Sequence, residues 1–317
     1  MTDTQAAADT AHAIPATTQL RRSRRLWRIL FFIVLAIAVL AVAGRFGLGQ
    51  TTLGDRIARV VVDGTIASDP ARLKALRDLG EDATVKAVLV EINSPGGTTA
   101  GGEELYEALG ALRAKKPVVA VIKELGASAA YMTAIAADRI FARRLSIVGS
   151  IGVLFQTVNA AKLMDTIGID LDKVASGPLK AEPDFDKPMS PEVRASITEL
   201  VNDSFAWFVD IVAERRGIDR NTALALSDGR ILTGRMALAD RLIDAIGGEA
   251  EAQEWLESEK GLAKDLPIVT YYPRSDEGLP GLWKLLGGQM RSALGLPESG
   301  PIALDGLVSL WQVGSPT

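Results

Sequence analysis

The sequence predicts an α/β fold built on a mostly parallel sheet, with one N-terminal transmembrane helix and a helical C-terminal part. Three observations carry this. Short runs rich in Val and Ile alternate with helical stretches between residues 57 and 167. A charge-free apolar run follows an arginine cluster near the N-terminus. From Pro191 onward the pattern becomes mainly helical. Strands alternating with helices argue for βαβ units and parallel pairing.

The chain begins with a polar, Ala/Thr-rich tail that reads as disordered. Residues 21–28, RRSRRLWR, hold five arginines. Ile29 to Gly44 follow, sixteen residues without a charge. At about 1.5 Å per residue they span roughly 24 Å, slightly less than a bilayer core of about 30 Å. Leu26 and Trp27 extend the run, and Arg28 and Arg45 can snorkel to the two surfaces. The cluster precedes the span, so the positive-inside rule places the N-terminus in the cytoplasm and everything after Arg45 on the exported side. A cleaved signal peptide is the competing reading, because Ala41-Val42-Ala43 resembles an A-x-A site. The long region before the apolar run favours an uncleaved anchor.

After a Gly-containing linker (Gly47 to Gly54), strands are predicted at IARVVVD (57–63), VKAVLVEIN (85–93), PVVAVIK (117–123), DRIFAR (138–143) and IGVLFQ (151–156). Their runs are nearly continuous, as in strands covered on both faces. Helices are predicted at Pro70–Leu79, Glu103–Ala114, Ala127–Ala137 and Asn159–Ile167. Ser190-Pro191 starts a long helix, with Ser as N-cap and Pro at the first helical position. It ends before Gly217. Asn221–Leu226, Arg235–Arg241 and Glu249–Lys260 read as further helices, and the last fifty or so residues alternate Pro/Gly breaks with apolar patches.

Composition removes several kinds of chemistry. There is no cysteine, hence no disulfide and no thiolate nucleophile. The one histidine, His12, lies in the N-terminal tail, so a Ser-His-Asp triad and a histidine metal site are both excluded from the folded part. The net charge of −4 argues against a nucleic-acid partner. No metal or other cofactor is expected.

Three motifs could carry chemistry. Asn93 to Gly97, NSPGG, ends a strand, and its glycines let the backbone approach a ligand closely. It is either an ordinary turn or half of an oxyanion hole. Glu124 to Met132, ELGASAAYM, places Ser128 at a strand-to-helix turn. Ser128 is there either a helix cap or a nucleophile, with the Ala129 N–H beside it. Ser176 to Lys180 is SGPLK. A lysine serves as a base only where desolvation brings its pKa down from about 10.4 toward neutrality. Lys123 is the rival, nearer in sequence but adjacent to Glu124.

In this order, Asn93–Gly97, Gly126–Tyr131, GSIGV (Gly149–Val153) and Ser176–Lys180 resemble the signal peptide peptidase A (protease IV-like) family of serine peptidases, in its short single-domain form. That family belongs to the wider Clp-protease and crotonase-like superfamily. The resemblance covers about residues 57 to 250, and DGRILTGRMALADRLIDAIGG (228–248) is similar to the family's closing helices. It implies a repeated ββα domain, Ser128 as nucleophile and Lys180 as general base. It also implies oxyanion donors at Gly97 and Ala129, and substrate contacts at Gly96, Ala130 and Tyr131. Where the family usually has Gly-Gly after the serine, this chain has Ala129-Ala130.

The expected division is a basic cytoplasmic tail (1–25), an anchor (26–45), a linker (46–56), a serine peptidase domain (57–250) and a helical, apolar C-terminal extension (251–317). The resemblance and the topology imply a single-pass protein of the inner (plasma) membrane with its catalytic domain on the exported side. The implied partners are remnant signal peptides and other extended apolar peptides, membrane lipid, and further copies of the chain in a homo-oligomer. Two other classes remain: a crotonase-like enzyme acting on acyl thioesters, and a non-catalytic membrane scaffold of the same fold.

Overall fold

A computed structural model describes residues 27–37, 54–273 and 307–310. Residues 27–37 form a helix with exposed side chains, within a separate unit that spans Met1–Gly54. Among the described residues no helix is long and apolar enough to cross a membrane. Residues 26 and 38–45 of the predicted anchor, and the tail 1–25, lie outside the described residues.

The second unit begins at Asp55. In order it contains β1 (Arg56–Asp63), α1 (Pro70–Glu81), β2 (Val85–Ser94), β3 (Gly96–Thr98), α2 (Thr99–Arg113) and β4 (Val118–Ala127). Then come α3 (Ala129–Ile135), β5 (Arg139–Ala142), β6 (Ile147–Gly149), β7 (Leu154–Phe155) and α4 (Ala161–Ile167). The remainder is α5 (Pro191–Arg216), α6 (Arg220–Leu226), β8 (Ile231–Thr233), α7 (Gly234–Ala239), β9 (Ala245–Ile246), α8 (Glu249–Lys260), β10 (Ile268–Tyr272) and β11 (Leu307–Leu310).

The main sheet runs β10-β1-β2-β4-β5-β9, and every neighbouring pair is parallel. β6 continues beside the end of β4 and pairs antiparallel with β8. The near-continuous apolar runs have the predicted cause. Val88, Val90, Val118, Ala120 and Ile122 face one core, whereas Ala87, Leu89, Val119 and Val121 face another. Helices α3 and α5 cover the first face, and Ala252 and Leu256 of α8 cover the second. Each fully buried Leu or Ile contributes about 1.5–3 kcal/mol relative to exposure.

Helix boundaries follow local chemistry. Asp69 caps α1 by accepting hydrogen bonds from the Ala71 and Arg72 N–H groups, with Pro70 at the first position. Ser190 caps α5 and Gly217 ends it in the left-handed region, as predicted. Three differences bear on the site. Helix α2 starts at Thr99 rather than Glu103, because Gly101 and Gly102 are helical positions under close contact and not breakers. Strand β4 continues four residues beyond Lys123, because backbone pairing with Ser94 on one side and β6 on the other carries it to Ala127. The predicted strand at 151–156 is reduced to Leu154–Phe155, and an unpredicted strand, Ile147–Gly149, precedes it; Gly149 (φ 99°) and Ser150 (φ 49°) turn the chain after that strand.

Candidate active site

Strand β4 ends at Ala127, and α3 begins at Ala129. Ser128 stands between them with φ 59° and ψ −122°, a conformation that side-chain-bearing residues rarely adopt. Holding a residue there costs on the order of 1–3 kcal/mol, and such strain concentrates at functional sites. Ser128 occupies the N-cap position, yet its side chain makes no capping hydrogen bond. The cap reading is therefore set aside. The backbone is locked from both sides: the Ser128 N–H donates to the Gly149 carbonyl at 2.8 Å, and the Ser128 carbonyl accepts from the Met132 N–H at 2.9 Å. A strained serine at a strand-to-helix turn is the arrangement that presents a nucleophilic Oγ beside a helix N-terminus. Ser128 is buried in the chain.

Ala129 follows in the first turn of α3, where N–H groups have no acceptor within the helix. Its methyl packs against α2 at Gly102: a Cβ at 102 would lie 3.0 Å from both the Ala129 Cβ and the Met132 Sδ. The alanine after the serine is thus accommodated by a glycine on the facing helix.

Gly96 and Gly97 form β3, beside this turn, since Ser94 pairs with Gly126. The buried Ser94 Oγ accepts the Gly96 N–H at 3.1 Å. Ile66 staples one edge of β3: its N–H donates to the Gly96 carbonyl at 2.8 Å, and its carbonyl accepts from Thr98 N–H at 2.9 Å. Gly97 is obligatory here, because a Cβ would fall 1.7 Å from the Ile66 carbonyl oxygen. Alternation along the strand turns the Gly97 N–H toward the opposite edge. The roles of Ser94, Ile66 and Gly102 were not read from the sequence. The serine within NSPGG is the only local signal of the three.

Ala130 and Tyr131, expected to meet substrate, are fully buried in the main core. The Tyr131 hydroxyl donates to the Leu242 carbonyl at 2.8 Å. Burial pushes that hydroxyl's pKa well above its ordinary value. Both residues pack α3 into that core.

Lys180 is exposed, in a turn closed by its own N–H donating to the Gly177 carbonyl at 3.1 Å. The loop is clamped at its base, where Lys173 Nζ bonds Glu182 Oε1 at 2.8 Å and Asp184 Oδ2 at 2.7 Å. Those bonds, Asp184 first, raise the Lys173 pKa, and Lys173 lowers that of Asp184. The rival Lys123 is half-exposed and turned to Glu91, 3.4 Å away. Among the described residues no group of three or more His, Cys, Asp or Glu is placed to hold a metal ion.

The chain is similar to known peptidases. The sequence profile described as "Peptidase family S49" matches residues 110–263, a stretch that includes Ser128 and Lys180. A candidate protease of Synechocystis sp. is 34% identical over 79% of this chain and 91% of its own length. A candidate protease of Methanocaldococcus jannaschii is 35% identical over 75% and 76%. A candidate signal peptide peptidase of Enterococcus faecium is 32% identical over 71% and 64%. Among solved structures, the ClpP1 N165D mutant from Listeria monocytogenes aligns over 61% of this chain and 92% of its own, with 15% identity and a TM-score of 0.40.

Proposed function

The chain belongs to peptidase family S49, and from that premise we propose that it is a membrane-anchored serine endopeptidase with a Ser128/Lys180 dyad, acting on signal peptides and other extended apolar peptides. The single observation that carries the reading is the strained backbone of Ser128 at the junction of β4 and α3. In this reading Ser128 Oγ attacks a peptide carbonyl while the Lys180 amine takes its proton. The Gly97 and Ala129 N–H groups bind the oxyanion. Lys180 then returns the proton to the leaving amine, and a water activated by the same lysine releases the acyl group.

A buried serine and an exposed lysine on one chain support a dyad completed between chains. The segment that carries Lys180 has the character of a subunit contact. Helix α4 buries none of its residues, and a seven-residue helix is marginal in water without a packing partner. Leu163, Ile167, Ile169, Leu179 and Phe185 are exposed on this arm, and Val174 is 98% exposed. Apolar surface of that extent marks an interaction site. The occupant in this reading is a second copy of the chain, whose Lys180 reaches the neighbour's Ser128.

The arginine cluster and the charge-free run from Ile29 to Gly44 support a single-pass anchor with the peptidase domain on the exported side. Such an anchor holds the enzyme beside signal peptides left in the bilayer. The test is turnover of an unstructured peptide and of a signal peptide in detergent by Ser128→Ala and Lys180→Ala. Each should lose activity almost completely, because the two groups act as a unit. Retained turnover in either variant rejects the dyad.

A further inference from the structure

We propose that Arg72 is a positioning residue for the oxyanion site: through the Ala67 carbonyl it holds the loop that places the Gly97 N–H. The proposal rests on the reading of Ser128 as the nucleophile of a peptidase and of Gly97 as an oxyanion donor.

Strand β3 is three residues long and lies outside the main sheet. A strand that short does not hold its own place. Its first edge is fixed by Ile66, which bonds Gly96 and Thr98, so Gly97 goes where the loop 64–69 goes. That loop leaves β1 with the Gly64 N–H donating to the Asn93 carbonyl at 3.1 Å. Ala67 then presses on the first turn of α2, where a Cβ at Gly101 would stand 2.8 Å from the Ala67 carbonyl carbon. From the other side, Arg72 of α1 donates from Nη2 to the Ala67 carbonyl oxygen at 2.9 Å. Ala67 adjoins Ile66, so this bond acts next to the residue that staples β3.

Arg72 is a poor choice for stability alone. It is 8% exposed, and among the described residues its buried Nε has no hydrogen-bond partner. The neighbouring carboxylates are engaged elsewhere. Asp69 accepts from the Ala71 and Arg72 backbone N–H groups and from the Tyr272 hydroxyl, and Glu104 accepts from Ser68 Oγ at 2.7 Å. Burial pulls the Arg72 pKa below its ordinary value, with Asp69, Tyr272 and Glu104 opposing the shift. Arg72 is also the third residue of α1, where the helix dipole disfavours a cation. A buried charge with so little compensation is commonly replaced by an apolar side chain without loss of stability. What an apolar side chain could not supply is the long-reach donor to Ala67.

The experiment compares the full chain with Arg72→Met, using an unstructured peptide as substrate and its peptidyl boronate as a transition-state analogue. The boronate forms a tetrahedral adduct on Ser128 with one oxygen in the oxyanion site. Arg72→Met should keep the urea midpoint of the natural chain or raise it. Its kcat should fall about tenfold to a hundredfold, the cost of a donor misplaced by a fraction of an ångström to one ångström. KM should stay within about twofold, and boronate affinity should fall by the same factor as kcat/KM. In a Gly97→Ala background the same change should alter kcat by less than about twofold, because the donor is already displaced. Unchanged kcat in Arg72→Met, or losses that multiply in the double variant, overturns the proposal and leaves the peptidase reading standing. A natural chain that neither cleaves the peptide nor binds the boronate rejects the peptidase reading, and the proposal with it. Should Arg72→Met not fold, Arg72→Gln takes its place with the same expected and overturning results.

Discussion

The methyl group of Ala129 faces Gly102 across the contact between α3 and α2, where a Cβ at residue 102 would stand 3.0 Å from it. This contact sets the position of α3, and with it the turn that holds Ser128. Gly102→Ala should cost about 1–3 kcal/mol by overpacking and lower turnover. Ala129→Gly in the same chain should recover much of both. A double-mutant cycle from urea unfolding would then give a favourable coupling of at least about 0.5 kcal/mol. Strict additivity would remove the contact as the reason this chain accepts alanine after the serine.

Gly97 cannot carry a side chain without moving the backbone, since its Cβ would meet the Ile66 carbonyl oxygen at 1.7 Å. Gly97→Ala should lower kcat by about 10²–10³-fold, the loss typical of one oxyanion donor. KM should change much less. A variant that keeps wild-type kcat would move the oxyanion site away from β3.

The clamp of Lys173 on Glu182 and Asp184 closes the loop that presents Lys180. Lys173→Ala should lower kcat by about tenfold through misplacement of the Lys180 amine, with peptide affinity retained. The pH behaviour of the clamp follows from two shifts. The Asp184 pKa is depressed, so its contribution is present above the ordinary carboxylate range and is lost as pH falls through the depressed value. The Lys173 pKa is raised, so its contribution is present below the ordinary lysine value and is lost as pH rises through the raised one. Between those limits the clamp is constant. The ratio of wild-type to Lys173→Ala rates should therefore stay flat across neutral pH.

If Lys180 serves a neighbouring chain, Ser128→Ala and Lys180→Ala proteins should complement each other. Dissociated, mixed in equal amounts and reassembled, they should regain up to about a quarter of the wild-type rate, because random assembly pairs two intact partners at about that fraction of junctions. A mixture as inactive as its parents would place both residues of a working dyad on one chain.

Much of the sheet was legible because its strands are covered on both faces and so are apolar at nearly every position. β1, β2 and β5 lie within two residues of their predicted limits for that reason. β4 overran its prediction because Lys123 and Glu124 are exposed and its last residues are held by pairing, not by burial. β10 and β11 were missed because each is recognisable only by its partner. Ile268–Tyr272 pairs with β1, more than two hundred residues earlier, and Leu307–Leu310 pairs with β3 and β7. The turn at Ser128 was legible as a position, but its strain was not, because only the completed β4, β6 and α3 impose φ 59° on a serine. Ala130 and Tyr131 were read as substrate contacts from their place in a motif. Their burial depends on α5 and the chain near Leu242, which no local pattern reveals.

The most direct test of the Ser128/Lys180 assignment is the rate at which a serine-reactive peptidyl phosphonate labels the assembled protein, with the modified residue located by peptide mass spectrometry. The account predicts one adduct, on Ser128, absent in Ser128→Ala and slowed by at least about a hundredfold in Lys180→Ala. An adduct on another residue, or labelling of Lys180→Ala at the wild-type rate, would contradict it.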